Sequence, residues 1–466
     1  MDKEKNDAIL KFINDVYLSI FPYLTTYELL QLGRTSQTIN EIVKTYISRN
    51  RQPLLRFPSE MKCIARNVGN LGRNIEKACS YFRKPPSECR MVVPCTIALS
   101  ETEPLVVSKP SLGALKVISQ TGITILLDIN FEVKDERLFR DSCSSYIVVL
   151  QQILKTLQLT ESIDLNFSRC EILDGMIAPN WFTGISAELI KLENLSSLGI
   201  SGRAPWRHIM SLNCLPSLKQ LRKLKVSGES IPEGNQFTDC LVLMPQLTSL
   251  TIENHTIEGI QLLNCLYHLT ELTSFSIFDV KIVGIDNFQQ FCKLFQNALP
   301  QVSSLRLSNS WVEMSKIHEM LPYIRNLLSN LSFLDLSYND LNMTDFQYGV
   351  VPALSGHVSN LTSLNLCHNN IGMPEDNAHA LVPLLQSLPN LVELNMSNND
   401  INIDDMRIFI QHLRNLRFLT SLDVSSNNID VPLLLELTEH WTVLRVLNFT
   451  DNEPEPEPDS DTETLS

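Results

Sequence analysis

The chain has 466 residues, 44% of them hydrophobic, with 38 basic and 52 acidic side chains for a formal net charge of -14. That length suits two or three domains, and the acidity argues against nucleic acid or an anionic membrane as the main partner. No apolar run reaches the roughly 18 residues of a bilayer span, and the charged residues after Met1 do not lead into the n-region and apolar h-region of a secretory signal.

The first predicted elements are three short helices. Asn14 and Asp15 can cap the first. Thr25 or Thr26 can cap the second, with Glu28 in its first turn and Gly33 at its end. "SQTINEIVKTYI", Ser36 to Ile47, supplies the third. Three helices of this size bury little, so apolar surface is left for a partner or for the rest of the chain.

The stretch "FINDVYLSIFPYLTTYELLQLGRTSQTI", Phe12 to Ile39, resembles the F-box. Val16, Leu18, Ile20, Phe21, Leu24, Glu28, Leu29, Leu30 and Leu32 match that pattern, and Phe12 takes its leading Leu position. Ile13 stands where the family has Pro, and Ile39 where it has Trp. The resemblance implies docking onto a Skp-type adaptor of a cullin-RING ubiquitin ligase, through Phe12, Ile13, Ile20, Phe21, Leu24 and Leu29. The other reading is a plain helical cap for the remainder of the chain.

Residues 51–120 read as a junction. Glu60 to Phe82 can form one or two helices, and Arg83 to Ser111 is proline-rich and extended in character.

From there a repeat takes over. "LSFLDLSYNDL" (Leu331 to Leu341), "LTSLNLCHNNI" (Leu361 to Ile371), "LVELNMSNNDI" (Leu391 to Ile401) and "LTSLDVSSNNI" (Leu419 to Ile429) share the pattern L-x-x-L-x-L-x-x-N-x-L. They resemble the leucine-rich repeat. Weaker copies start at residues 195, 221, 247, 272 and 302, and a half-copy at 444. Two degenerate units are added at Ile123 to Phe131 and Ser162 to Ser168. Each L-x-L segment is a short strand, and stacked copies make a parallel sheet at ~4.8 Å per repeat. Spacings of 25 to 30 residues leave room for helices, visible at Ala378 to Leu388 and Met406 to Leu416. The expected fold is α/β: a leucine-rich-repeat solenoid over 121–452 of the ribonuclease-inhibitor type, with a curved parallel sheet on the concave side and helices on the convex side. A three-helix F-box-like segment over 1–50 precedes it.

Within each repeat the ninth position should hold Asn339, Asn369, Asn399, Asn427 and Asn452 against backbone groups of the turn. Earlier copies carry Arg203, Glu229, His255, Val280 and Ser310 there, which predicts looser turns. Cys214, Cys240, Cys265 and Cys292 recur at one helical position and read as small buried hydrophobes, not a metal ladder. The 11 cysteines form no Cys-x-x-Cys pair and read as reduced thiols of a cytoplasmic protein.

A protein substrate is expected on the strand face, among small polar residues such as Ser304, Ser337, Ser397 and Ser425. Phe278, Trp311 and Tyr338 fall at or after the strand in three successive repeats and are candidate anchors, with Trp311 either exposed or turned into the core. Charge shifts from Lys223, Lys225 and Arg306 to Asp335, Glu393, Asp400 and Asp423, a gradient able to orient a partner. A further candidate is the loop "SGRAPWRHIM", with Arg203 and Trp206.

No catalytic motif, cofactor fingerprint or metal-ligand spacing occurs; Cys367 and His368 are adjacent on a strand and so point to opposite faces. The acidic, proline-rich tail Glu453 to Ser466 reads as disordered: a solubilising tail, or a signal similar to the Glu-rich C-terminal signals of bacterial type IV effectors delivered into a host cytoplasm.

Overall fold

The computed structural model describes residues 54–56, 73, 75, 79, 85–100, 103–108, 112–133, 150–170, 187–202, 215–228, 236–312, 315–372, 382–401, 413, 416–429, 431–438 and 443–452. The F-box-like segment and the acidic tail lie outside them. The chain divides into two compact units, Met1–Leu247 and Thr248–Ser466.

The first unit is built on strands β1 (Leu54–Arg56), β2 (Arg90–Ser100), β3 (Glu103–Ser108), β4 (Thr124–Val133), β5 (Thr160–Cys170), β6 (Ser197–Ser201) and β7 (Lys223–Ser227). β1, β2, β4, β5, β6 and β7 pair in that order, all parallel, and β3 folds back antiparallel on β2. The two degenerate segments are thus the neighbouring strands β4 and β5. Helix α1 (Leu112–Gln120) and the helix at 150–156 bury Leu115, Ile118, Ile153 and Leu154 beneath the sheet residues Ile125, Leu127, Ile163 and Leu165. The short helix α2 (Gln236–Val242) buries Phe237 and Leu241.

The second unit carries β8 (Ser249–Glu258), β9 (Ser274–Val283), β10 (Ser304–Ser308), β11 (Trp311–Val312), β12 (Ser315–Lys316), β13 (Phe333–Asp335), β14 (Ser363–Asn365), β15 (Glu393–Asn395), β16 (Ser421–Asp423) and β17 (Val446–Asn448). β8, β9, β10, β13, β14, β15, β16 and β17 pair in parallel in that order. Register stacks like on like, with Leu250, Phe275, Leu305, Leu334, Leu364, Leu394 and Leu422 in one buried column. Helices α3 (Gly259–His268), α4 (Phe288–Ala298), α5 (Val382–Gln386) and α6 (Val431–Thr438) follow strands in their repeats. Asn287 caps α4 by accepting from the Gln290 N–H at 2.9 Å, and Phe295 of α4 meets Phe275 edge-to-face at 5.9 Å. Cys265 and Cys292 are fully buried on α3 and α4, and burial pushes both thiols up to about 12. Cys214 lies outside the described residues.

The turn after each strand has one constant feature. The eighth residue of the repeat is left-handed in every copy of this unit: Asn254, Asp279, Asn309, Tyr338, His368, Asn398, Ser426 and Asp451, with φ between 45° and 60°. The path beyond it depends on the ninth residue. Where that residue is Asn, the side chain replaces the sheet ladder. Asn427 donates to the carbonyls of Met396, Val424 and Ser425 and accepts from the N–H groups of Asn399 and Ile401. The strand then stops after three residues. At His255, Val280 and Ser310, where the Asn is missing, the turn is not looser, contrary to expectation; Arg203 and Glu229 lie outside the described residues. β8 and β9 pass the left-handed residue and pair again, His255 opposite Val280 and Ile257 opposite Ile282. β11 continues this second ladder and β12 closes it antiparallel. Backbone groups must be satisfied one way or the other, and without the amide the ladder itself does so.

Candidate functional site

Positions three and five of each repeat lie on the outward face of the second unit's sheet. From β13 onward position five holds Asp335, Asn365, Asn395, Asp423 and Asn448, and each accepts from the backbone N–H two residues on, at 2.9 to 3.4 Å. Ser337, Ser397 and Ser425 add hydroxyl donors to the same oxygens. These groups serve the fold. Ser337 and Ser425 are buried, so they are not the free polar contacts the sequence suggests. Asp335 is likewise no free surface charge. It is buried, accepts from Ser308 Oγ at 3.1 Å, and pairs with Arg306 Nε at 3.2 Å.

Above this polar layer stands a line of rings. The guanidinium of Arg306 lies 5.1 Å over the Phe278 ring. Phe278 meets Tyr338 edge-to-face at 5.9 Å, and Tyr338 stacks on His368 at 4.2 Å with planes 11° apart. His368 Nδ1 lies 2.9 Å from Asn398 Nδ2. This contact ties the imidazole to the next repeat. Tyr338 remains 42% exposed and His368 is exposed as well. Arg306, Phe278, Tyr338, His368 and Asn398 therefore form one contiguous surface across five repeats.

Trp311 is 40% exposed, not turned into the core. With Tyr338 it lines a small cleft that also takes in Asn309, Asp340 and the buried Ile317. Of the other sequence candidates, Arg203 and Trp206 lie outside the described residues, as do Phe12, Ile13, Ile20, Phe21, Leu24 and Leu29. His368 and Asn398 do not stand out as binding residues in the sequence. A signal exists all the same: Tyr338, His368 and Asn398 occupy the eighth position in three successive copies. Cys367 beside His368 is buried and its thiol is raised by burial, which leaves the pair no nucleophile. Among the described residues no three His, Cys, Asp or Glu side chains are grouped to hold a metal ion, and no helix is long and apolar enough to cross a membrane.

No protein-family model and no curated protein matches the chain. Among solved structures it is similar to an internalin (inlF) from Listeria monocytogenes str. 4b F2365, at 17% identity over 74% of this chain and 86% of that one, with a TM-score of 0.35. It is also similar to a TLR13–ssRNA13 complex, at 15% identity over 87% of this chain and 55% of that one, with a TM-score of 0.33. The fold itself rests on the strand pairing and the repeat spacing: the described residues form leucine-rich repeats.

Proposed function

We propose that this chain is a protein-interaction scaffold that holds its partner on the face formed by Phe278, Arg306, Tyr338 and His368. One observation carries the reading. The eighth position is left-handed, a conformation that Asn, Asp and His adopt readily and that strains a bulky residue such as Tyr338. Six of the eight copies in the second unit place Asn, Asp or Ser there, while Tyr338 and His368 place exposed rings side by side. Strain retained on an exposed surface points to use of that surface. Rigid aromatics next to an arginine are also the composition of an interface anchor. A pull-down from eukaryotic lysate with the wild type and with the Phe278→Ala/Tyr338→Ala double variant tests this. Proteins held by the first and lost by the second support it, and identical sets refute it.

A more specific reading adds a Skp-type adaptor and a cullin ligase, with the repeats presenting a protein substrate for ubiquitination. It is supported by the F-box resemblance of Phe12 to Ile39 alone. The chain should then co-purify with such an adaptor, and Ile20→Glu or Phe21→Glu should abolish that complex. Absence of a wild-type complex under conditions that retain a known F-box protein would remove this reading and leave the scaffold. The acidic tail gives a parallel proposal, delivery into a host cell. A chain ending at Asn452 that translocates as well as the full one would dismiss it.

A further inference from the structure

Charge is divided sharply between the two units. Met1–Leu247 contains 29 basic and 25 acidic side chains, a net of +4, whereas Thr248–Ser466 contains 9 and 27, a net of -18. The aromatic surface belongs to the acidic unit, whose field attracts cations and repels anions before contact.

Within that surface the cleft between Trp311 and Tyr338 has a definite chemistry. Two exposed aromatic rings line it, and Ile317 beneath them is buried and apolar. The exposed carboxylate of Asp340 stands at its rim. Asn309 on the same rim donates through Nδ2 to the carboxylate of Asp279 at 3.1 Å, which keeps a second negative charge one hydrogen bond away. Among the described residues the opposing charges are Lys281, the register partner of Trp311 in β9 and exposed, and Arg306, which is paired with Asp335. Aromatic faces with an adjacent carboxylate favour an ammonium or guanidinium group, because the ring quadrupole and the anion act in the same direction.

We infer that this cleft accepts a lysine or arginine side chain from a basic segment of the partner protein. The inference rests on the interaction-surface reading and names the chemistry of its partner. The cleft has room for about one water-sized group, so only the cationic head of a side chain seats in it and the stem stays outside. It therefore selects for a basic residue within a longer contact made by Phe278, Tyr338 and His368.

The test uses the full chain labelled with 5-fluorotryptophan, the Trp311 fluorine resonance being the one lost in Trp311→Phe. Nα-acetyl-arginine amide, Nα-acetyl-lysine amide, Nα-acetyl-leucine amide and Nα-acetyl-glutamate amide are titrated separately. Saturable shifts from the two cationic amides, with the leucine and glutamate amides inert, are expected. Asp340→Asn should weaken the response severalfold, and Lys281→Gln should strengthen it. Asp340→Asn should fold normally, because residue 340 is itself left-handed at φ 50° and Asn adopts that conformation readily. A leucine response equal to the arginine response, no saturable cationic response, or indifference to Asp340→Asn would overturn the inference. If the pull-down set still depends on Tyr338 in that case, the scaffold reading stands without it.

Discussion

Arg306 and Asp335 face each other in register on β10 and β13 and meet at 3.2 Å from Nε to Oδ2. The pair is lopsided: the arginine side chain keeps 36% of its exposure, the aspartate 6%. Asp335 also takes the Ser337 N–H at 2.9 Å, the Ser337 hydroxyl at 2.6 Å and the Ser308 hydroxyl at 3.1 Å. Removing the acid strands buried donors and the arginine, while removing the arginine leaves an acid that still has three donors. Asp335→Ala should therefore cost about 2–4 kcal/mol and Arg306→Ala about 1 kcal/mol or less, read from urea unfolding midpoints.

The asparagine ladder is not equally satisfied along its length. Asn427 uses both its oxygen and its nitrogen, whereas the buried Oδ1 of Asn399 has no hydrogen-bond partner among the described residues. Asn427→Ala should destabilise by about 2–4 kcal/mol and Asn399→Ala by about 1 kcal/mol less. Equal losses in chemical denaturation would mean that the amide nitrogens alone carry the effect.

His255 occupies an asparagine position and is buried, which lowers its value from 6.5 to about 4. The folded value lies below the unfolded one. Its stabilising share is therefore complete above pH 6.5 and is lost as pH falls towards 4, at up to ~1.4 kcal/mol per unit. Urea midpoints measured between pH 7 and pH 4.5 should fall more steeply for the wild type than for His255→Leu.

Tyr338→Asn separates strain from function. Asn suits a left-handed residue better than Tyr, so stability should hold or rise by up to about 1 kcal/mol, offset by the loss of stacking on His368. Partner retention in the pull-down should nevertheless be lost. A stable variant that still retains its partners would move the interaction surface elsewhere.

Cys265 and Cys292, buried and held as thiols, should resist maleimide at pH 8 in the native protein and react once urea unfolds it. Mass spectrometry of labelled peptides reads this directly.

The repeat was fully legible where Leu331 to Ile429 spell it out, because each apolar position fills one register column and tolerates no other chemistry. The asparagine ladder was legible for the same reason: Asn339, Asn369, Asn427 and Asn452 recur where backbone groups need a partner. The second row of polar residues was not. Asp335 and Asp423 look like surface charge in a linear sequence, since their partners, Arg306 and Asn448, stand one repeat away. The fate of the early turns was hidden too. That His255, Val280 and Ser310 lack the amide is visible in sequence, but that β8, β9 and β11 respond by pairing again is a property of neighbouring strands.

Taken alone, the sequence determined the repeat, its period and the residues that fill the core, because burial and backbone satisfaction act on each copy in the same way. It also marked Phe278, Trp311 and Tyr338 as separate aromatic candidates. Only the tertiary structure decided that Phe278, Tyr338 and His368 form one line, that Arg306 is held by a buried Asp335, and that Trp311 opens onto a cleft beside Asp340. Those contacts join residues about 30 positions apart or more, and parallel stacking in fixed register is what brings them within a few ångströms.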